Sequence, residues 1–262
     1  MNFYDAFCGI GGFRIGLEAA GLTCVGSCEI DEYARQVYHH RFGDWPDKDI
    51  REVIDIKGAD MLCGGFPCQD ISVAGKGAGL SGERSGLWWE LARIIENCLP
   101  RWVFLENVPA LLGRGLGDIL GPLAACGYDA EWDCLPASAF GAPHQRDRIW
   151  IVAYPMHSGR RELFQQKQEL WSDKQTNARC YGKTQSVAYA TSSISEGVGT
   201  VENREQGRPT NTGWWKAEPD VGRVVDGIPN RTHRLKCLGN AVVPHVVEWI
   251  GRRITGEKGE LR

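Results

Sequence analysis

The sequence predicts an α/β fold, a parallel sheet covered by helices on both faces. Three observations carry that reading. Short apolar runs alternate with stretches of helical periodicity through the first half of the chain, the pattern of parallel strands connected through helices. Gly-rich turns follow the first strand (Phe7-Cys8-Gly9-Ile10-Gly11-Gly12) and the third (Gly64-Gly65-Phe66-Pro67). Apolar residues make up 42% of the 262 and charged ones 24%, so the chain can bury a core and is not intrinsically disordered as a whole.

The elements follow in order. Asn2–Phe7 is expected as a strand, and 12–20 as a helix closed by Gly21. A second strand is expected over 23–30, with Asp31 capping a helix that runs to Phe42. A short apolar strand covers 60–63. A helix covers 85–98, with Leu87, Leu91, Ile94 and Ile95 on one face. A strand over 102–108 and a helix over 116–126 come next, then strands over 128–135 and 148–154. The first of these last two alternates Tyr128, Ala130, Trp132 and Cys134. Composition changes at Pro155. Residues 156–213 are rich in Gln, Ser, Thr, Asn, Gly and Arg with little periodicity, as in a loop-rich or partly disordered subdomain. Order returns at 239–243, and Pro244 opens a helix to about Ile254.

Composition excludes several classes. No apolar run reaches the roughly 18 residues of a membrane span. The amino-terminal MNFYDAFCGIGG lacks a basic region followed by an apolar stretch, so no secretory signal is expected. Ten cysteines in that context indicate reduced thiols in a cytoplasmic protein. None forms a C-x-x-C pair, and no metal is expected. The net charge of −3 is unevenly spread: residues 1–139 hold 11 Lys+Arg against 20 Asp+Glu, and residues 140–262 hold 19 against 13. That asymmetry suits an acidic body with a basic part facing a polyanion, and equally an ordinary solvated surface.

Five motifs stand out. The Gly-rich turn 7–12 lets backbone approach a ligand beside a helix N-terminus, although a merely tight turn would read the same. Arg14 stands where the dinucleotide pattern G-x-G-x-x-G needs its last glycine, which disfavours NAD. Glu29 ends the second strand, where acids accept hydrogen bonds from ribose hydroxyls. Cys68 sits on a Gly/Pro loop after the third strand, placed to attack a ligand; an inert packed thiol is the alternative. Glu106 ends an apolar strand, and an acid there needs a partner or a function. Arg146 and Arg148, at i and i+2 entering a strand, are expected on one face as a clamp for phosphate or carboxylate, or as a surface Arg–Asp cluster. Gly239-Asn240, before the last helix, reads as a turn.

Together these segments resemble the DNA (cytosine-5) methyltransferase family. The order is the family's: DAFCGIGGFRIGLEAAG, CEIDEYA, DMLCGGFPCQDIS, GERSGLWWELARII, FLENVP, QRDRIWIVA and RLKCLGNAVVP. The resemblance covers residues 3–154 and about 217–254, in the manner of compact phage- or prophage-type members. It implies a doubly wound, Rossmann-like sheet binding S-adenosylmethionine. By extension, residues 1–154 would form the catalytic and cofactor-binding domain. Residues 155–233 would form a small target-recognition region, and 234–262 would complete the catalytic domain.

The resemblance also assigns roles. Phe7, Gly9 and Gly11 would line the methionine pocket. Glu29 would hold the ribose, with Ile30 against the adenine. Asp49, followed by Ile50, would bond the adenine amino group. Pro67, Leu87, Asn240 and Ala241 would complete the pocket. Cys68 would attack C6 of a cytosine flipped out of double-stranded DNA, and protonated Glu106 would hold its N3 edge. Arg148 would bond O2 of the base, and Arg146 would support the loop and phosphate. No membrane partner and no metal are implied, and a monomer is expected. Enzymes that methylate cytosine in transfer RNA share the motifs; the Ser72 ending of FPCQDIS and the microbial-looking recognition region favour DNA. Arg14 and the FPCQ loop argue against an NAD-dependent oxidoreductase. An intact Cys68 and Glu106 argue against a catalytically silent DNA binder.

Overall fold

The computed structural model describes residues 1–67, 86–156, 163 and 229–256. Six strands form one sheet among them: β1 (Asn2–Ala6), β2 (Thr23–Cys28), β3 (Met61–Gly65), β4 (Trp102–Asn107), β5 (Tyr128–Pro136) and β6 (Asp147–Pro155). The strand order is β2-β1-β3-β4-β6-β5. The described helices are α1 (Gly12–Ala19), α2 (Glu32–Phe42), α3 (Leu87–Cys98), α4 (Leu111–Arg114), α5 (Leu116–Ala125), α6 (Arg231–Asn240) and α7 (Pro244–Thr255).

Strand alternation sorts the core into two layers. Tyr4, Leu62, Val103, Leu105 and Ile151 pack with Trp88, Leu91 and Ile95 of α3 and Ile119 and Leu123 of α5. Their strand neighbours Phe3, Met61, Phe104, Trp150 and Val152 pack on the other face with Phe13 and Leu17 of α1 and Val246, Val247 and Ile250 of α7. The carboxyl-terminal helix, remote in sequence, thus covers the same face as the first. Pro244 opens it and Gly256, in the left-handed conformation, closes it.

The sheet is mixed, where the alternation predicts parallel strands. β2, β1, β3 and β4 are parallel, while β6 runs antiparallel to both β4 and β5. The cause is the connection. Only residues 137–146 join β5 to β6, and a parallel crossover takes about a dozen residues or more, usually with a helix. The reversal has a consequence for the site: it brings the amino end of β6, with Arg148, beside the carboxyl end of β4, with Glu106. α6 is a second departure, since its last two residues read as a turn in the sequence.

Candidate active site

The strand order reverses at β1. The chain goes from β1 through α1 to β2 on one side, then returns to β3 on the other. Ligands of such sheets bind outside the carboxyl ends of strands at this switch. A cavity of about 780 Å³ lies there. Its wall includes Phe7 and Gly9 after β1, Glu29 and Ile30 after β2, Asp49 and Ile50, and Pro67 after β3. Leu87, Glu106, Arg148, Asn240 and Ala241 also line it. The fold therefore brings these sequence-predicted residues to one cavity.

Two predicted positions among the described residues fall elsewhere. Gly11 is not part of the wall. It is the N-cap of α1 at φ 89°, and a Cβ there would lie 2.3 Å from the Phe42 ring; only glycine fits both the left-handed backbone and that approach. Arg146 is not among the wall residues either. It precedes β6 at φ 44°, so the same-face rule for strand residues does not reach it. Its guanidinium donates to the carbonyl oxygens of Gly239 and Ala241, each at 2.6 Å. Cys68 lies outside the described residues, as does nearly all of the recognition region expected at 155–233.

At one end of the cavity the polar groups are fixed by backbone. The Gly9 N–H donates to Glu29 Oε2 at 2.9 Å and the Asp31 N–H to Glu29 Oε1 at 2.8 Å. Burial raises the Glu29 carboxyl above its ordinary range, opposed by those two N–H groups. Phe7 takes a positive φ of 58° at the head of this turn. Such backbone strain costs on the order of 1–3 kcal/mol and concentrates where a ligand is gripped. Asp49 meets Arg51 as a bidentate pair, with Nε at 2.9 Å from Oδ1 and Nη2 at 2.6 Å from Oδ2, and this pairing lowers its pKa. Lys48, Arg51 and Lys236 also line the cavity. Sequence reasoning missed them, since isolated basic residues carry no pattern.

At the other end stands a buried carboxyl. Glu106 is paired in the sheet with Gly65, where a Cβ would lie 2.7 Å from Glu106 Oε2. Glycine there leaves the carboxyl its space. Arg148 Nε lies 2.8 Å from Glu106 Oε1. Burial nevertheless outweighs the pull of Arg148 and Arg146 and pushes the Glu106 carboxyl up to about 7. So raised, the group keeps its proton to higher pH than an ordinary glutamate and can donate it.

The C-5 cytosine-specific DNA methylase family model matches residues 1–220. The chain belongs to that family. Among similar family proteins, the Type II methyltransferase M.HhaI of Haemophilus parahaemolyticus is 38% identical over 160 residues, 59% of this chain and 49% of that protein. M.NgoBI of Neisseria gonorrhoeae is 42% identical over 156 residues, 57% of this chain and 49% of the relative. The chain thus spans about half the length of these curated relatives. M2.BsuMI of Bacillus subtilis (strain 168) aligns with all of this chain and 77% of its own length at 27% identity. Among solved structures, the S. pombe Dnmt2 methyltransferase superposes with a TM-score of 0.55 at 20% identity, over 68% of this chain and 57% of that one. A putative DNA modification methyltransferase from an E. coli prophage gives 0.50 at 22%, over 59% and 47%. These two likenesses bear on the fold alone, a six-stranded α/β sheet. No described helix is long and apolar enough to cross a membrane.

Proposed function

We propose that the protein transfers a methyl group from S-adenosylmethionine to C5 of cytosine in double-stranded DNA. The observation that carries the reading is the buried Glu106, its pKa raised to about 7, in the same cavity as the ribose-type acceptor Glu29. The wall residues suit the cofactor. Glu29 would accept from the ribose hydroxyls and exposed Ile30 would lie against the adenine. Asp49 would face its amino group, and Phe7 and Gly9 the methionine part. Bound there, the cofactor supplies an electrophilic methyl group.

The chain's residues prepare the base. The Cys68 thiolate forms a bond to C6, and the displaced ring electrons move toward N3. Glu106 donates its proton at N3 and so neutralises that charge. Arg148 keeps the Glu106 carboxyl oriented and offers a donor to O2 of the base. C5 is now enamine-like and nucleophilic. After methylation, loss of the C5 proton to a base, cleavage of the sulfur–C6 bond and return of the N3 proton to Glu106 restore the ring, the thiolate and the acid. A cytosine inside a duplex cannot reach Glu106, so it is flipped into the cavity. Arg146 ties the β5–β6 connection to residues 239–241 and acts through them. Residues 155–233 would read the DNA sequence, and their basic half of the chain would supply phosphate contacts.

The test uses methyl-labelled S-adenosylmethionine with duplex DNA, and separately with RNA. Label should enter DNA. DNA carrying 5-fluorocytosine should trap a covalent adduct, because fluorine at C5 blocks the elimination. Cys68→Ala should abolish both adduct and transfer. Labelling of RNA alone would overturn the substrate, and an adduct surviving in Cys68→Ala would overturn the nucleophile.

A further inference from the structure

α6 carries Gly239 and Asn240 to the cavity, yet no residue along it is buried. Leu235 and Leu238 are 45% and 54% exposed. A helix is ordinarily held by an apolar face against a core; α6 lacks one. Polar and ring contacts attach it instead. Near its start His233 stacks on Tyr33, ring centroids 5.1 Å apart and 29° between planes. In its middle Lys236 Nζ donates to Asp31 Oδ2 at 2.5 Å. At its end Arg146 holds the Gly239 and Ala241 carbonyls. Lys236, Cys237, Gly239 and Asn240 line the cavity, as do Glu29 and Asp31.

The two sides of this closure differ in rigidity. Asp31 is fixed three ways: its N–H donates to Glu29, its Oδ1 accepts from Ala34 N–H as the cap of α2, and its Oδ2 takes Lys236. Lys236 is on a helix without a buried face and is itself 56% exposed along its side chain. Segments with few buried apolar contacts open at low cost. Of the two jaws, α6 is therefore the one held by fewer buried contacts.

We propose that α6 is the removable wall of the cofactor cavity and that Lys236, through Asp31, is a positioning residue that sets how long the cofactor stays. The proposal rests on the reading that this cavity holds S-adenosylmethionine. Before transfer the clasp retains the cofactor between the ribose end and the base end; after transfer it must part for the demethylated product to leave.

The experiment measures release of S-adenosylhomocysteine from the full chain by stopped flow. An exposed ion pair shifts an equilibrium by up to about fivefold. Lys236→Met and Asp31→Asn should each therefore speed release about two- to fivefold; asparagine keeps the α2 cap while losing the charge. The double variant should release no faster than either single one, and Lys236→Arg should restore slow release. Raising ionic strength from about 0.05 M to about 0.5 M should speed release from the wild type but not from Lys236→Met, because salt screens an exposed pair. Bound product with unchanged release in both single variants, or additive effects with wild-type salt dependence, would overturn the wall proposal alone. A wild type that does not bind S-adenosylhomocysteine would overturn the cofactor reading and this proposal with it.

Discussion

Glu29 and Glu106 line one cavity, each at or just beyond the carboxyl end of a parallel strand, and they differ in what satisfies them. Glu29 accepts from two backbone N–H groups, one to each oxygen. Glu106 meets the Arg148 guanidinium, in a site where burial dominates. Backbone donors stabilise the charged form and make Glu29 a fixed acceptor. A carboxyl pushed to about 7 despite its arginine is instead poised to give up a proton near neutrality. Environment alone thus suits one glutamate to the proposed role of ribose acceptor and the other to that of acid.

The largest effect should come from breaking the acid end. Glu106→Gln keeps shape and an N–H donor but removes the transferable proton, so single-turnover methyl transfer should fall about 10²–10⁴-fold, the range for losing a positioned general acid. Cofactor affinity, measured by calorimetry, should stay near wild type. A variant keeping more than about a tenth of the rate would dissolve the distinction between the two glutamates.

The same residue predicts a pH dependence of stability. Folded Glu106 titrates at about 7 and the free side chain near 4.5. Between those values the folded chain binds more protons here than the unfolded one, so stability falls as pH rises. This contribution is fully present below about 4.5 and lost above about 7, a change on the order of 3 kcal/mol. Urea unfolding of Glu106→Gln should therefore lose less stability between pH 5 and pH 8 than the wild type does. Glu29→Gln should change that slope less, since backbone donors offset part of its shift. Equal slopes in wild type and Glu106→Gln would show that Glu106 is an ordinary carboxylate.

Much of this site was legible in the sequence because it sits where strands end. Phe7, Glu29, Pro67 and Glu106 each close an apolar run, and strand ends at a topological switch converge on one place whatever lies between them. What periodicity cannot express is direction: the alternation of β5 and β6 marks them as strands but leaves open that β6 runs backward to set Arg148 against Glu106. Arg146 escaped because one positive φ removes it from the strand's two-residue repeat. α6 escaped because helices are recognised by a buried stripe, and Leu235 and Leu238 have none to join. Gly11 reads in the sequence as lining the methionine pocket, and a Cβ there would meet Phe42 and Tyr38; a glycine in a turn does not say which side is crowded.

Smaller effects should separate the acceptors within the cofactor end. Glu29→Ala removes a carboxylate and also strands the Gly9 and Asp31 N–H groups, so S-adenosylmethionine binding should weaken by about 1–3 kcal/mol. Asp49→Ala should cost less than about fivefold in affinity. Its carboxylate is only partly buried, so water competes for any ligand, and it is already occupied by Arg51. Calorimetric titration of both variants at one salt concentration decides the matter. Comparable losses would mean that the adenine amino group displaces Arg51 and takes over the Asp49 carboxylate. The cofactor end would then hold two committed acceptors, and the contrast with Glu106 would be one of number as well as environment.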